Sequence, residues 1–206
     1  MKITDLHKKI GRFELNVESL SVEPGKIHGI VGPNGCGKTV FLKLVMGILN
    51  PDRGYIDYEG ILPREITMMT QRPYLMRTSV YKNLIYPLKI RGIRPDEEKM
   101  DELLDRAGLL EQKKQYARSL SSGEKQKLSF LRAMVFEPKV IIMDETLSNL
   151  DAESEELFKE LISMRQKKDP ATWLIVNHQW DHVNRLFEAV HYMEKGRFVK
   201  NEIAEG

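Results

Sequence analysis

Short apolar runs alternate with helical patterns along the chain. The runs cover residues 26–31, 66–71, 140–144 and 173–177, and each is bounded by glycine, proline or polar residues. Their lack of regular polar alternation predicts strands that are buried on both faces of a parallel sheet. Near the end of the chain, the segment MEKGRFVKN predicts a β-hairpin.

Between the runs, apolar residues recur at helical spacing. Residues 39–49 follow the first strand, and the later periodic positions are Met100, Leu103, Leu104 and Ala107, then Leu128, Leu131 and Val135, then Leu157, Leu161 and Met164. This alternation predicts an α/β fold in one domain that covers residues 1–206. Residues from about 74 to 127 have a mostly helical pattern, so we expect them to form an inserted helical subdomain.

Composition narrows the possible functions. The 206 residues include 32 basic and 30 acidic ones, a formal charge of +2, so charge does not indicate a nucleic-acid binder. No apolar run is long enough to span a bilayer, and the N-terminus lacks the apolar core of a signal peptide. The single cysteine, Cys36, cannot form an internal disulfide, which suits a reducing cytosol. We expect a cytoplasmic protein, or one held on the cytoplasmic face of a membrane by a partner.

The segment GPNGCGKT fits the phosphate-loop pattern G-x-x-x-x-G-K-S/T between a predicted strand and a predicted helix. Glycines let successive backbone amides curl around phosphate oxygens. Lys38 brings a cation to the β- and γ-phosphates, and the Thr39 hydroxyl can ligate Mg²⁺. The predicted nucleotide-binding residues are Gly32, Pro33, Asn34, Gly35, Cys36, Gly37, Lys38 and Thr39.

Two carboxylates follow the apolar run VIIM. In phosphoryl transfer, an acid at such a strand tip holds Mg²⁺ and its water, while a neighbour orients the attacking water. Asp144 is therefore expected to be the Mg²⁺ partner and Glu145 the general base. Because ligands of open α/β sheets bind at the carboxyl ends of strands, we expect Gln71, Glu145 and His178 around one γ-phosphate.

The stretch LSSGEKQK, which begins at Leu120, has two interpretations. Ser121 and Glu124 match a capping box at the start of a helix. Two hydroxyls, a glycine and a helix N-terminus also make a good anion site, because unpaired N–H groups and the helix dipole point outward. Nothing within the stretch decides whether it is a cap or half of a phosphate site.

Six motifs in order give the chain a clear resemblance to the ATP-binding subunits of ABC transporters: GPNGCGKT, Gln71, LSSGE, IIMDE, Ser148-Asn149-Leu150-Asp151 and His178. The resemblance implies a P-loop NTPase core with a parallel sheet, an antiparallel N-terminal β subdomain and a helical subdomain. It implies that two such domains enclose two ATP molecules head to tail, so that both interpretations of LSSGE hold. It also implies nucleotide contacts from Ser121, Ser122, Gly123, Glu124 and Asp151, and Mg²⁺ bound near Thr39, Gln71 and Asp144.

The resemblance further implies the partners. We expect a second ATP-binding subunit in a homodimer, integral membrane permease subunits and an extracytoplasmic substrate-binding protein, with ATP hydrolysis driving translocation. A single-domain chain resembles importer subunits more than fused exporters, and GRFELNVESLSVEPG resembles importers of the molybdate or tungstate type. Because the chain ends soon after the predicted hairpin, we expect no C-terminal regulatory domain. The alternative is an ABC-type ATPase that drives a soluble or septal assembly, whose motifs would be identical.

Several positions depart from the family pattern. Ser122 and Glu124 replace a glycine and a glutamine in LSSGE, and Thr146 and Asn149 stand where proline and alanine are usual. Where the family has an aromatic residue that stacks on adenine this chain has Ile10, and Phe13 is the nearest aromatic, so we expect weak base stacking and competition by GTP. For Cys36, a regulatory thiol and a merely small side chain both remain open.

The segment after Gln71 contains apolar residues with two possible roles. By resemblance, a groove beside this segment receives a helix of the membrane subunit, and the segment would supply an exposed apolar patch. Alternatively the same side chains simply fill the helical subdomain. They are Tyr74, Leu75, Met76, Val80 and Tyr81.

Overall fold

The computed structural model describes residues 1–147, 150–176 and 186–203. These residues form nine strands, β1 (Lys2–Ile10), β2 (Phe13–Ser21), β3 (Ile27–Val31), β4 (Arg53–Asp57), β5 (Ile66–Thr70), β6 (Val140–Asp144), β7 (Thr172–Val176), β8 (Ala189–Glu194) and β9 (Arg197–Ile203). The α-helices are α1 (Lys38–Val45), α2 (Val80–Lys89), α3 (Glu97–Arg106), α4 (Ser122–Met134) and α5 (Ala152–Lys168), and residues Pro63–Glu65 and Ala117–Ser119 form short 3-10 helices. Within the described residues, no helix is long and apolar enough to cross a bilayer.

β1, β2 and β4 form a small antiparallel sheet in the order β2-β1-β4. The pairing of β1 with β4 shifts between Thr4 and His7. At this shift the two strands approach so closely that a Cβ on Gly54 would lie 2.1 Å from the carbonyl oxygen of Asp5, so only a residue without a Cβ fits there. The sheet confirms the antiparallel N-terminal subdomain that the resemblance implied.

The main sheet has the strand order β5-β6-β7-β3-β8-β9. All of its neighbouring strands are parallel except β8 and β9, which form the hairpin predicted for MEKGRFVKN. Every residue of β6 and β7 is buried, as expected for central strands of a parallel sheet that is covered on both faces. The predicted α/β fold is confirmed.

Three hydrophobic clusters fill the space around the sheets. The first joins the small sheet, α1 and one face of the main sheet, and the second joins the other face to α4 and α5. In the second cluster, Phe130 of α4 stacks on Phe158 of α5 with 4.2 Å between ring centroids. The third cluster lies among α2, α3 and α4, and it is the core of the helical segment.

One sequence-based expectation is wrong in detail, and one open alternative is decided for two residues. α1 ends at Val45 instead of continuing to residue 49, because Gly47 adopts a left-handed φ of 67° and its N–H donates to the carbonyl of Leu44 at 2.9 Å. Of the two roles considered for the apolar residues after Gln71, Leu75 and Val80 have the core role, because they are buried in the third cluster, whereas Tyr74 stays exposed, at 71%.

Candidate functional site

The phosphate loop connects β3 to α1 and is shaped by close backbone contacts. A Cβ on Gly32 would lie 2.1 Å from the carbonyl oxygen of Met193 on β8, so only glycine fits there. The Gly37 backbone has a φ of 115°, and a Cβ on it would lie 2.5 Å from the Phe13 ring. The motif therefore needs glycine at these two positions because other parts of the protein pack closely against the loop, in addition to the need for a tightly curved backbone.

Lys38 is 4% exposed and its side chain turns back over the loop. Its Nζ donates to the carbonyl oxygens of Gly32 at 2.7 Å and Pro33 at 3.0 Å. An ammonium group has three donors and no acceptor, so these contacts hold it in the loop where phosphate oxygens can accept from it.

Thr39 and Asp144 meet at the carboxyl edge of the sheet. The Thr39 hydroxyl donates to Oδ1 of Asp144 at 3.4 Å, which joins the start of α1 to the end of β6. Burial raises the pKa of Asp144 above its ordinary value, the bond from Thr39 acts in the opposite direction, and the charge of Glu145 adds to the rise. A partly desolvated carboxylate beside a hydroxyl is an oxygen donor set that suits Mg²⁺.

Glu145 lies directly after β6 with a left-handed φ of 55°, and its N–H donates to the carbonyl of Val176 at 3.1 Å. Left-handed backbone is costly for a residue with a Cβ, and such strain is enriched at functional sites. Four other non-glycine residues in the described part of the chain also have a positive φ, namely Asp5, Glu59, Glu137 and Lys195, so the conformation of Glu145 supports its role only together with its position. Glu145 and the phosphate loop line one cavity of about 180 Å³, together with Phe13, Asn34, Gly35, Gly37, Lys38, Thr39 and Val40. The cavity brings a carboxylate, an ammonium and a hydroxyl to one place.

Strand register brings Gln71 to the same edge of the sheet. Thr70 pairs with Asp144, and Asp144 pairs with Val176, so the ends of β5, β6 and β7 are level. Gln71 follows Thr70 directly and is exposed. His178, like Ser148 and Asn149, lies outside the described residues.

The LSSGE stretch forms the capping box that the sequence predicted. Ser121 Oγ accepts from the N–H of Glu124 at 3.3 Å, and Glu124 Oε2 accepts from the N–H of Ser121 at 2.7 Å. The bond from Ser121 holds the pKa of Glu124 below its ordinary value. Among the described residues, the cavity at the phosphate loop is lined without any contribution from LSSGE.

Asp151 lies against this stretch and begins the next helix. Its Oδ1 accepts from the N–H of Ser154 at 2.7 Å at the start of α5, and this bond lowers the pKa of Asp151. A Cβ on Gly123 would lie 2.8 Å from Oδ2 of the same carboxylate. Behind this contact, Lys127 of α4 pairs with Glu153 of α5 at 2.5 Å.

Phe13 and Cys36 both lie at the phosphate loop, whereas Ile10 does not. Phe13 packs on Gly37 and lines the cavity, whereas Ile10 is 43% exposed and does not line it. Cys36 is 3% exposed, with Sγ 3.8 Å from Nζ of Lys38, so its thiol is shielded by the loop itself.

The sequence interpretation missed the support that the β8–β9 hairpin gives to the phosphate loop. The N–H of Gly196 donates to the carbonyl of Cys36 at 2.8 Å, and the Met193 carbonyl faces Gly32. The hairpin itself was predictable from MEKGRFVKN. Its position against the loop was not, because that position depends on β8 pairing with β3.

Comparison with known proteins gives a consistent result. The family model described as ABC transporter matches residues 15–148. The tungstate uptake ATP-binding protein TupC of Peptoclostridium acidaminophilum is 37% identical over 202 residues, which cover 95% of this chain and 94% of that protein. The methionine import ATP-binding protein MetN of Caulobacter vibrioides is 32% identical over 211 residues, which cover 95% of this chain but 63% of that protein. The chain thus spans less than two thirds of MetN.

Solved structures give the same fold. The dimeric post-hydrolysis state of the ATP-binding cassette MJ0796, bound to ADP and Pi, matches with a TM-score of 0.83 and 25% identity, covering 100% of this chain and 99% of that one. A structure described as the ATP binding subunit of an ABC transporter matches with a TM-score of 0.89 at 22% identity, covering 98% of this chain and 89% of that one. At that identity the second match shows the fold alone.

Proposed function

Because the chain belongs to the ABC transporter family, whose members hydrolyse ATP to power transport, we propose that it is the ATPase subunit of an importer for a tungstate-like oxyanion. The observation that carries the ATPase assignment is the placement of Lys38, Thr39, Asp144 and Glu145 around the edge of the main sheet. The oxyanion class is supported by the likeness to TupC, which extends over nearly all of both chains.

Each residue of the site has a separate role in the proposed hydrolysis of ATP. The amides of residues 32–39 and the Lys38 ammonium bind the phosphates of ATP. Glu145 orients a water whose oxygen bonds to the γ-phosphorus as the bond to ADP breaks, and the carboxylate accepts the proton that this water loses. Gln71 and His178 contact the γ-phosphate from the ends of the neighbouring strands.

Mg²⁺ fits the same edge of the sheet. Thr39 and Asp144 would hold it, with Gln71 as a third ligand, and their oxygen donors are of the type that this ion prefers. When bound, the ion neutralises charge that develops on the β- and γ-phosphate oxygens. The raised pKa of Asp144 is consistent with this role, because a desolvated carboxylate gains most from a nearby cation.

The LSSGE stretch serves the ATP of a second subunit. Ser121, Ser122, Gly123 and Glu124 begin α4 away from the cavity at this chain's own phosphate loop, so a nucleotide that they contact must be held by another chain. We expect that chain to be a second copy. Asp151, which lies against Gly123, would join this interface.

The remaining partners follow from the proposed transport. The chain would bind the permease subunits of an importer from the cytoplasmic face of the membrane, and an extracytoplasmic protein would deliver the oxyanion. Exposed Tyr74, which follows Gln71, is the natural anchor for a permease helix, since aromatic residues are enriched at interfaces.

The first test is light scattering during size-exclusion chromatography of Glu145→Gln, with and without Mg-ATP. Removing the base should leave ATP bound but unhydrolysed, so the variant should elute as a dimer only when ATP is present. Glu145→Gln combined with Lys38→Met is the matched control and should stay monomeric. A Glu145→Gln monomer with ATP bound would refute the proposed composite site.

The transported substrate needs a separate test. Deleting the gene for this chain in its native cells should lower the uptake of tungstate from medium that contains nanomolar tungstate. A plasmid copy of the gene should restore the uptake, and the Lys38→Met copy should not. Copurification of the chain with an integral membrane protein should accompany this result. Normal uptake after deletion, together with copurification of soluble proteins alone, would favour an assembly ATPase instead.

A further inference from the structure

The backbone just after Gln71 is held by an arginine from the LSSGE helix. Arg132 lies in the last turns of α4, and its Nη2 donates to the carbonyl oxygen of Tyr74 at 2.7 Å. Burial lowers the pKa of the Arg132 guanidinium, yet this group stays charged because an arginine pKa is far above neutral. A hydrogen bond from a partly buried charged donor is stronger than one between neutral groups.

Asn83 of α2 connects the same arginine to the next part of the segment. Its side chain is fully buried, and Oδ1 accepts from the N–H of Met76 at 2.8 Å and from Nη1 of Arg132 at 3.4 Å. Its Nδ2 faces the carbonyl oxygens of Ser79 at 3.0 Å, Met76 at 3.2 Å and Thr78 at 3.4 Å. The oxygen thus meets only donors and the nitrogen only acceptors, so the amide is well satisfied.

The chain immediately before LSSGE holds the other side of this segment. The N–H of Ala117 donates to the carbonyl of Thr78 at 2.9 Å, and Ser79 forms a bridge with Tyr116. The segment from residue 74 to 79 is therefore tied to residues on both sides of LSSGE. Gln71 lies three residues before Tyr74, and the intervening Pro73 restricts the backbone between them.

We propose that Arg132 and Asn83 are positioning residues that hold the backbone after Gln71 against the LSSGE helix, and that Gln71 needs this contact to act at the ATP of its own chain. The proposal rests on the proposed function. Its physical basis is that separating the segment from α4 would strip partners from a buried amide and a partly buried guanidinium.

Arg91 offers a matched control for Arg132. It is also a partly buried arginine that donates to backbone carbonyls, those of Arg64 at 3.0 and 2.7 Å and of Pro87 at 3.0 Å, and it lies 3.6 Å from the centroid of the Phe136 ring. None of these contacts reaches residues 71–79. Arg132→Met and Arg91→Met therefore remove similar interactions and differ in whether the Gln71 segment is held.

The first readout is amide hydrogen exchange of the segment, which does not depend on ATP hydrolysis. In Arg132→Met, peptides that cover residues 72–79 should exchange at least tenfold faster, because the loss of a charge-assisted bond shifts local opening by about that factor. Arg132→Lys should recover part of the protection. In Arg91→Met, the same peptides should exchange within twofold of the unaltered protein.

The second readout separates kcat from ATP affinity. Arg132→Met should lower kcat at saturating Mg-ATP at least tenfold, because a small misplacement of a catalytic group is costly, while the Kd for ATP stays within twofold. Arg132 does not line the cavity at the phosphate loop, which is why the affinity should hold. Arg91→Met should keep both the kcat and the Kd for ATP, even if its melting temperature falls as much as that of Arg132→Met.

The outcomes separate this proposal from the proposed function. Unchanged exchange in Arg132→Met, faster exchange with an unchanged kcat, or an equal loss of kcat in Arg91→Met would each overturn the positioning role. If the unaltered protein shows no ATPase activity, the proposed function fails, and the exchange data alone then decide whether Arg132 holds the segment.

Discussion

Replacing Gly123 by alanine should separate the folding of the LSSGE helix from its function. Gly123 lies in the first turn of α4, and a Cβ on it would stand 2.8 Å from Oδ2 of Asp151. That carboxylate is the end of a side chain and can turn away, but in doing so it gives up the bond that its Oδ1 accepts from the Ser154 N–H at 2.7 Å.

Two opposing effects set the stability of Gly123→Ala. Alanine in a helix is more stable than glycine by about 0.5–1 kcal/mol. Losing the Asp151 cap of α5 costs about 1 kcal/mol, with a range of roughly 0.5–2. With a cap cost of about 1 kcal/mol the net destabilisation should be about 0–0.5 kcal/mol, and the full ranges run from about 0.5 kcal/mol of stabilisation to about 1.5 kcal/mol of destabilisation. In Asp151→Ala the contact is absent, so adding Gly123→Ala should stabilise by about 0.5–1 kcal/mol.

Urea unfolding of the two single variants and the double variant measures this cycle, and we expect a coupling free energy of about 1 kcal/mol. In the Glu145→Gln background, Gly123→Ala should also abolish the ATP-dependent dimer, because the new methyl group lies beside the amides that we propose to face the partner's nucleotide. Equal destabilisation by Gly123→Ala with and without Asp151 would refute the assigned contact. An intact dimer would refute the role of the amides.

Three further predictions use other parts of the site. His28 is buried, with its Nδ1 3.0 Å from Nε2 of His191, and burial lowers the pKa of His28 to about 4. In the unfolded chain this histidine takes up a proton at a higher pH than in the folded protein, so the free energy of unfolding falls as pH drops from 6.5 toward 4. Between pH 7.5 and 5 the unaltered protein should lose about 2 kcal/mol more than His28→Phe does in urea unfolding. Gly32→Ala should remove measurable binding of a fluorescent ATP analogue, because its Cβ would meet the rigid Met193 carbonyl at 2.1 Å. Since Ile10 does not line the cavity, GTP should inhibit ATP hydrolysis appreciably, and strict ATP selectivity in a competition assay would contradict this.

The parts of the site that are local in sequence could be predicted from it. The phosphate loop, the capping box and the Asp144-Glu145 pair each lie within a few residues, and their spacing already contains the geometry that the chemistry needs. The α/β fold followed from apolar runs that suit buried parallel strands. The end of α1 was also available locally, because Gly47 is a C-terminal cap signal that the apolar periodicity through Leu49 obscured.

The contacts that join these local motifs were not predictable. Arg132 and Tyr74 are separated by 58 positions, and a half-buried arginine in a helical pattern looks the same as one that is solvated. Leu75 and Val80 likewise gave no sign of whether they cover a partner or fill a core, since apolar side chains do both. Tertiary packing, which the periodicity of apolar residues does not encode, determines both the contact of Arg132 with Tyr74 and the burial of Leu75 and Val80.

The two interpretations of LSSGE are compatible because the capping box uses only part of the helix end. A helix leaves its first N–H groups without an acceptor. In α4 the box satisfies two of them, the N–H of Ser121 through Glu124 and the N–H of Glu124 through Ser121. The N–H groups of Ser122 and Gly123, between those two, receive no acceptor from the helix. A stable cap therefore fixes the direction of two adjacent amides toward whatever lies beyond the helix end, which is the geometry that binds a phosphate. Removing the box should weaken the phosphate contact, although neither side chain of the box needs to touch the nucleotide.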